Sequence, residues 1–410
     1  MSRTAVITGI GVVAPSGMTV ADHWATVTEG KNMLTEISLF DASGCATRIA
    51  GEVRDFDITG RVDGRLVVQT DRWTWMAFVA AEQALRDCGI DPAVVDPYQL
   101  SVVLASSSGG NQFGQRELQR LWSQPARTVG AYQSIAWFYA ATVGQLSIRH
   151  QAKGQSSVLV SESAGGLDSL GHAVRTIQRG ASIVLAGGLE APLSPYALAC
   201  QSRSGRLSTD NDPARAYRPF DQTASGYVPG EGGAVIVVED LDHAWARGAR
   251  IYATVGGWGS THDGSHDGSD SRQYARALRL ALQRAQRQPG DVDLFIPDAL
   301  GVPEFDRSEA TAINDVFGAH GVPVASHKAL TGRMYQGGSA LDVVTAVQAI
   351  REQVLPGTTG LDRAAAGCAL AFVPATTKST VDNVQIGARG FGGYNSSLLL
   401  RRYTGFESGE

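Results

Sequence analysis

Short apolar runs alternate with longer amphipathic stretches along nearly the whole chain. Residues 5–13 (AVITGIGVV) form an apolar run that leads into a Gly/Pro turn at residues 15–17, and they predict a buried strand. Residues 101–105 (SVVLA) predict another. Apolar positions at helical spacing over residues 72–88, closed by Gly89, predict a helix with a glycine stop. Residues 157–161 (SVLVS) predict a strand. A helix follows through Leu167, Leu170, Val174 and Ile177 and ends at Gly180, and residues 183–186 (IVLA) and 235–238 (VIVV) predict two more strands. From about Ala253 the plan restarts. Residues 294–296 (LFI) are a short apolar run, and residues 322–326 lead to a turn predicted at Gly337 and Gly338. A helix then runs through Leu341, Val344, Val347 and Ile350. Strand, turn and helix recur in comparable order, which predicts two related α/β halves, residues 1–253 and 254–410. The last five residues, 406–410, are predicted to fray.

Composition narrows the function classes. At 43% apolar and 18% charged residues, the 410-residue chain can bury a large core. Its 48 glycines point to many tight turns and close backbone approaches. A net charge of −5 with no run of Lys or Arg argues against nucleic acid. No apolar stretch reaches membrane-spanning length, and the first residues lack a charged-then-apolar signal pattern. Cys45, Cys88, Cys200 and Cys368 are scattered, with no CxxC pair, which predicts free thiols and a cytoplasmic protein.

The candidate chemistry centres on residues 160–168 (VSESAGGLD). A strand, a sharp turn of small residues and a helix start make an elbow that presents one side chain at a helix N-terminus. A cysteine there would be activated as a thiolate. The presented position here is Ser163, which needs a nearby base to act as a nucleophile. His172 lies too far along the same helix to serve.

The residues around this elbow resemble the β-ketoacyl synthase family of the thiolase-like superfamily. Residues 7–17 (ITGIGVVAPSG), 218–233 (RPFDQTASGYVPGEGG) and 390–397 (GFGGYNSS) carry the same resemblance, so it spans nearly the whole chain. It implies an α/β thiolase-like fold with duplicated halves in a layered αβαβα architecture, and neither metal nor cofactor. The family uses a cysteine, two histidines and a lysine. Position by position, Ser163 stands in the cysteine place. Leu300, in residues 298–303 (DALGVP), stands in the first histidine place, and Arg333, in residues 328–333 (KALTGR), in the second. Lys328 is retained. Leucine cannot hydrogen-bond, and arginine is permanently charged and cannot act as a base. Decarboxylative condensation needs a thiolate and neutral imidazoles, so the resemblance implies a chain that has lost it.

Within the family the chain resembles the chain-length factors of type II polyketide synthases. Residues 161–173 (SESAGGLDSLGHA), 136–150 (AWFYAATVGQLSIRH) and 332–346 (GRMYQGGSALDVVTA) carry this. Chain-length factors typically place glutamine where Ser163 sits. The resemblance implies two partners: a ketosynthase alpha subunit, and an acyl carrier protein bearing malonyl and growing polyketide groups. It also implies a tunnel across the heterodimer interface, lined in part by a helix matching residues 111–122. Asn111, Gly114 and Leu118 lie at i, i+3 and i+7 on one face of that helix. The face covers roughly 10 Å at about 1.5 Å per residue. A two-carbon unit adds roughly 2.5 Å, so the face spans about four units. With no aromatic at these positions the gate is expected to be open, and the product ten to twelve units long. Phe138 is a further candidate beside the tunnel.

Competing readings are retained. Ser163 fills a tight turn, or it serves an independent acyltransferase or malonyl-thioester decarboxylase. Lys328 is structural without its partners, and Arg333 forms a buried ion pair or meets an acidic residue across the interface. The Gly114 face packs at an interface rather than a tunnel, or the whole chain is a scaffold for the carrier protein. Residues 261–270 hold His262, Asp263, His266, Asp267 and Asp270, which have ligand chemistry. Their Gly/Ser content predicts a surface loop rather than a metal site. Residues 230–233 (GEGG) lack a following Lys-Ser/Thr and predict a tight turn rather than a phosphate loop. Arg116 and Arg120 are candidate contacts for an acidic partner.

Overall fold

The computed structural model describes residues 3–125, 128–264 and 270–405. Its main sheet has eleven strands among the described residues. The first five are β1 (Ala5–Val13), β2 (Leu100–Ala105), β3 (Ser156–Leu159), β4 (Ile183–Glu190) and β5 (Gly232–Asp240). The remainder are β6 (Ala253–His262), β7 (Leu294–Ile296), β8 (Pro323–Val324), β9 (Ala371–Phe372), β10 (Asn383–Gly390) and β11 (Tyr394–Arg401).

The strand order exposes a duplication. The first set runs β1-β5-β4-β2-β3 and the second β6-β11-β10-β7-β8, with β9 added at the far edge. In both, the first strand pairs antiparallel with the last, that strand pairs antiparallel with the one before it, and two parallel pairings follow. The sets meet where β1 pairs with β6, Val6 opposite Thr254 and Ile7 opposite Ala253. β3 ends the first set, and β2 is its only strand partner among the described residues.

Seven helices position the site: α1 (Arg72–Cys88), α2 (Asn111–Ser123), α3 (Ala141–Arg149), α4 (Gly165–Gln178), α5 (Ser271–Ala285), α6 (Pro303–Phe317) and α7 (Gln336–Glu352). α1 covers one outer face, burying Met76 and Phe78 against Val102, Leu104 and Val237. α5 and α6 cover the other, burying Tyr274, Leu278 and Ile313 with Phe295 and Leu399. α4 and α7 lie between the two sets, where Leu167, Leu170, Val343 and Val347 join Ile236, Ile386 and Leu398. The result is the layered αβαβα arrangement.

Local chemistry sets the helix ends. The Asp71 carboxylate caps α1 at Arg72 N–H (2.7 Å) and also caps α2 at Phe113 N–H (3.0 Å), whose own preceding residue, Gly110, has no side chain to do so. Gly89 ends α1 in the left-handed conformation (φ 70°). α7 is buried on every side from Gln336 to Ile350, as a central helix must be.

One predicted turn moves. Gly337 and Gly338 lie in the first turn of α7, and the sharp change of direction falls at Tyr335 (φ 47°, ψ −127°). Gly337 packs against the backbone of Gly232 and Gly233, so its missing side chain serves close approach rather than turning. The tail at 406–410 lies outside the described residues.

Candidate functional site

The elbow forms between β3 and α4, with a different residue at its apex. Glu162, not Ser163, takes the left-handed backbone (φ 47°) and lines the adjacent pocket. Ser163 is 3% exposed, and its hydroxyl donates to Glu162 Oε1 at 3.0 Å. The other carboxylate oxygen, Oε2, accepts from Phe391 N–H at 2.8 Å and lies 3.6 Å from Arg333 Nη2. Residues three and four after the apex must be small: a side chain at Gly165 would strike Gln336 Cγ, and one at Gly166 would collide with Gln336 O and Ser339 Oγ at the start of α7.

The pocket has a volume of about 430 Å³. Leu300, Phe305, Tyr227 and Phe391 give it apolar walls, and Glu162, Asp298, Arg333 and Arg389 line it with charge. Arg333 sits behind the short helical turn Lys328–Thr331, where Gly332 (φ 77°) turns the chain. Its Nη1 donates to Asp298 Oδ2 at 3.0 Å, and its Nη2 to the Arg389 carbonyl at 2.8 Å. Burial works against its charge, but Asp298 and Glu162 outweigh burial and hold its pKa well above the usual arginine value. The guanidinium is therefore a fixed cation with intrachain partners, and it cannot take up a proton.

Leu300 rides on a loop that α6 holds from below. Glu309 accepts from Asp298 N–H (2.7 Å) and Ala299 N–H (2.8 Å), and Asp306 accepts from Gly301 N–H (2.9 Å) and Phe220 N–H (2.7 Å). Burial pushes the Asp306 carboxyl up to about 8 and, with the nearby Asp298 charge, raises Glu309 as well. Loop 298–301 is thus shaped to present a side chain, and the one presented is aliphatic.

Lys328 belongs to a separate buried pair. Its ammonium donates to Asp342 Oδ2 on α7 and to the Pro297 carbonyl (2.9 Å). Behind it, His23 and His327 border a cavity of about 10 Å³. Burial lowers His23 to about 4 and His327 to about 3, so both are neutral near pH 7. Neither lines the main pocket. His172 bonds Gln155 at 3.3 Å, away from Ser163.

The proposed gate residues lie on the other side of the first set. α2 buries Phe113, Gly114 and Glu117, while Asn111 is half-buried and Leu118 is 43% exposed. Within the chain, Trp137 lies over the expected gate position: a Cβ at Gly114 would meet Trp137 Cδ1 at 2.8 Å. Phe138 is 42% exposed and packs on Tyr139, centroid to centroid 4.8 Å. Trp122, Ile135 and Trp137 are exposed on the same stretch. On α2, Arg120 pairs with the buried Glu117 at 3.0 Å, and Arg116 lies over the Phe113 ring.

Of the candidate metal ligands, His266 and Asp267 lie outside the described residues. His262 Nδ1 accepts from Gly264 N–H, Asp263 accepts from Asn395, and Asp270 caps α5. Among the described residues no three His, Cys, Asp or Glu side chains form a metal-holding group. In the GEGG segment, Glu231 forms a bidentate pair with Arg72 (2.7 and 2.8 Å), and Gly232 and Gly233 begin β5. No helix among the described residues is long and apolar enough to cross a membrane.

The β-ketoacyl synthase N-terminal domain model matches residues 2–244, and the C-terminal domain model matches residues 252–362. The chain belongs to the β-ketoacyl synthase family. Within that family it is 47% identical over 401 residues to the tetracenomycin polyketide synthase ketoacyl synthase beta subunit of Streptomyces glaucescens, covering 97% of this chain and 98% of that one. Among solved structures it is similar to the ishigamide ketosynthase/chain length factor, with a TM-score of 0.92 at 27% identity, over 98% of this chain and 100% of that one. It is also similar to a chain of the AntDE:AntF complex, a type II polyketide synthase carrier protein with its ketosynthase bound to the hexaketide. That match has a TM-score of 0.88 at 25% identity, over 98% of this chain and 100% of that one. The sequence relative and the ishigamide protein agree with the ketosynthase-beta and chain-length-factor resemblance of the sequence.

Against the ketosynthase pattern, the structure gathers Leu300 and Arg333 into one pocket and leaves Ser163 beneath it. Sequence reasoning missed Glu162 at the apex, and Arg389, Tyr335 and Phe391 around the rim. Tyr335 had a detectable signal. It precedes α7 as Glu162 precedes α4, so the duplication itself predicts a second elbow there, and both residues have φ 47°.

Proposed function

We propose that this chain is the non-catalytic chain-length factor of a type II polyketide synthase. In this reading it joins a ketosynthase alpha subunit in a cytoplasmic heterodimer, and its α2 face shapes the tunnel that sets poly-β-ketone length. A carrier protein delivers malonyl units and carries the growing chain to that complex. The observation that carries the reading is the Arg333–Asp298–Glu162 cluster, which lines the pocket with paired charge where the family's chemistry needs a proton-accepting imidazole. A fixed cation bound by two carboxylates cannot steer decarboxylation. The exposed Leu118, Trp122, Ile135 and Trp137 support a large apolar partner surface. Neither Asn111 nor Leu118 is aromatic, so the product is expected to exceed eight units, at ten to twelve.

A Ser163-dependent acyltransferase is disfavoured by position. The hydroxyl is buried, and its one acceptor, Glu162, is already engaged by Arg333 and Phe391 N–H. The deciding test incubates the purified chain with malonyl carrier protein, alone and with a ketosynthase. The chain alone should neither become acylated nor release CO2, and the pair should make polyketide. Turnover by the lone chain overturns the reading.

A further inference from the structure

The gate residues of α2 have a neighbour that sequence spacing does not reveal. Trp137 is 23 residues beyond Gly114, yet its indole lies directly on it. Gly114 is buried by that indole, and the missing Cβ is what makes room for it.

The backbone beneath the indole is fixed. Trp137 N–H donates to Gln133 O (3.3 Å), and Trp137 O accepts from Gly110 N–H (3.1 Å). Gly109 and Gly110 let this segment come close: a Cβ at Gly109 would lie 2.5 Å from Trp137 O, and one at Gly110 would strike Ala136 O. The side chain is held far less. Trp137 is 53% exposed, and its indole N–H makes no hydrogen bond among the described residues. A fixed backbone thus carries a half-exposed aromatic ring over a glycine.

We propose that Trp137 is a length-determining residue, and that its indole forms the movable wall of the gate in the space Gly114 leaves open. This rests on the tunnel reading above. A larger residue at 114 then acts by displacing the indole rather than by filling an empty gap. Trp137 and Gly114 behave as one unit, and Leu118, one helical turn further on, acts separately.

The test reconstitutes the heterodimer with a ketosynthase and malonyl carrier protein and compares polyketide lengths. The variants are Trp137→Ala, Trp137→Phe, Gly114→Ala, Leu118→Phe and the double variant Trp137→Ala/Gly114→Ala. Trp137→Ala is expected to raise the ratio of longer to parent-length products at least tenfold, with Trp137→Phe between. Gly114→Ala should shift the ratio in the parent and change it less than twofold once the indole is gone. Gel filtration checks assembly, and Trp137→Phe carries the test if Trp137→Ala does not assemble. The assignment fails if the Trp137 variants that assemble leave the ratio within twofold while Leu118→Phe moves it; the tunnel reading then survives. If Leu118→Phe also leaves product length unchanged, the tunnel reading falls and takes the assignment with it.

Discussion

The pocket beside Glu162 and the outer face of α2 differ in how their demanding groups are met. In the pocket, Arg333, Asp298, Glu162 and Glu309 all find partners inside the chain. On the α2 face, Trp122, Trp137, Ile135 and Leu118 stay exposed. Groups already paired within the chain have little left to offer a substrate, whereas an apolar face left open is free energy available for association. The contrast is what the proposed function rests on: paired charge in the pocket and an unpaired apolar face outside it.

The largest effect should come from breaking the charge-paired region. Arg333→Met leaves Asp298 and Glu162 buried without their cation, and is expected to cost about 3–5 kcal/mol by denaturant unfolding. The double variant Arg333→Met/Asp298→Asn should cost less than the sum of the two single changes, because it removes both members of the pair. A loss under about 1 kcal/mol for Arg333→Met would mean the cluster is not the fixed, charge-paired lining described.

Burial also predicts a pH dependence nearby. Glu190 at the end of β4 is fully buried, and burial raises its carboxyl to about 7 against hydrogen bonds from Ser108 and Ser107. A carboxyl whose folded pKa exceeds its unfolded value binds more protons when folded. Its stabilising contribution is full below about pH 4.5, the unfolded value, and is lost as pH rises through about 7. The span corresponds to an upper bound on the order of 3 kcal/mol. Glu190→Gln should therefore flatten the fall in stability between pH 5 and 8 and gain on the parent at the alkaline end. Parallel unfolding curves across that range would refute it.

How much of this was legible in the sequence depends on the range of the interactions involved. β1, α1 and the core of α4 follow from periodicity and a glycine stop, because their burial is a one-dimensional pattern. The duplication was legible as repeated order, and the sheet makes it concrete by giving both sets the same strand sequence. Ser163, Leu300, Arg333 and Lys328 were located by motif, but motif alone did not distinguish Ser163, buried, from Glu162, at the apex. That difference is one backbone dihedral angle, set by packing of α4 against α7. The Trp137–Gly114 contact was illegible for a similar reason, since it depends on how residues 133–137 fold back onto the start of α2.

A smaller effect is expected on the open face. Trp122→Lys or Ile135→Lys places a charge where an apolar partner surface is proposed. Either should weaken association with a ketosynthase by about 2 kcal/mol, roughly thirtyfold, while leaving the chain's own unfolding within about 0.5 kcal/mol. Titration calorimetry or analytical ultracentrifugation of the pair reads the first quantity, and thermal unfolding of the chain reads the second. Unchanged affinity for both variants would move the partner surface elsewhere.

The smallest expected effect is the most direct comparison with the family. Ser163→Cys restores the family's nucleophile type at its own position, so a reader of motifs alone would expect reactivity to return. The structure argues otherwise. The side chain at 163 is buried, Glu162 occupies the apex above it, and a carboxylate next to a thiol opposes ionisation. Leu300 and Arg333 still supply no imidazole. Ser163→Cys is expected to add no carbon–carbon bond formation and no rapid alkylation by iodoacetamide at pH 7, read by intact-mass spectrometry. Prompt, selective labelling at that position would mean the elbow still presents residue 163 to solvent, and that the pocket opens further than its ion pairs imply.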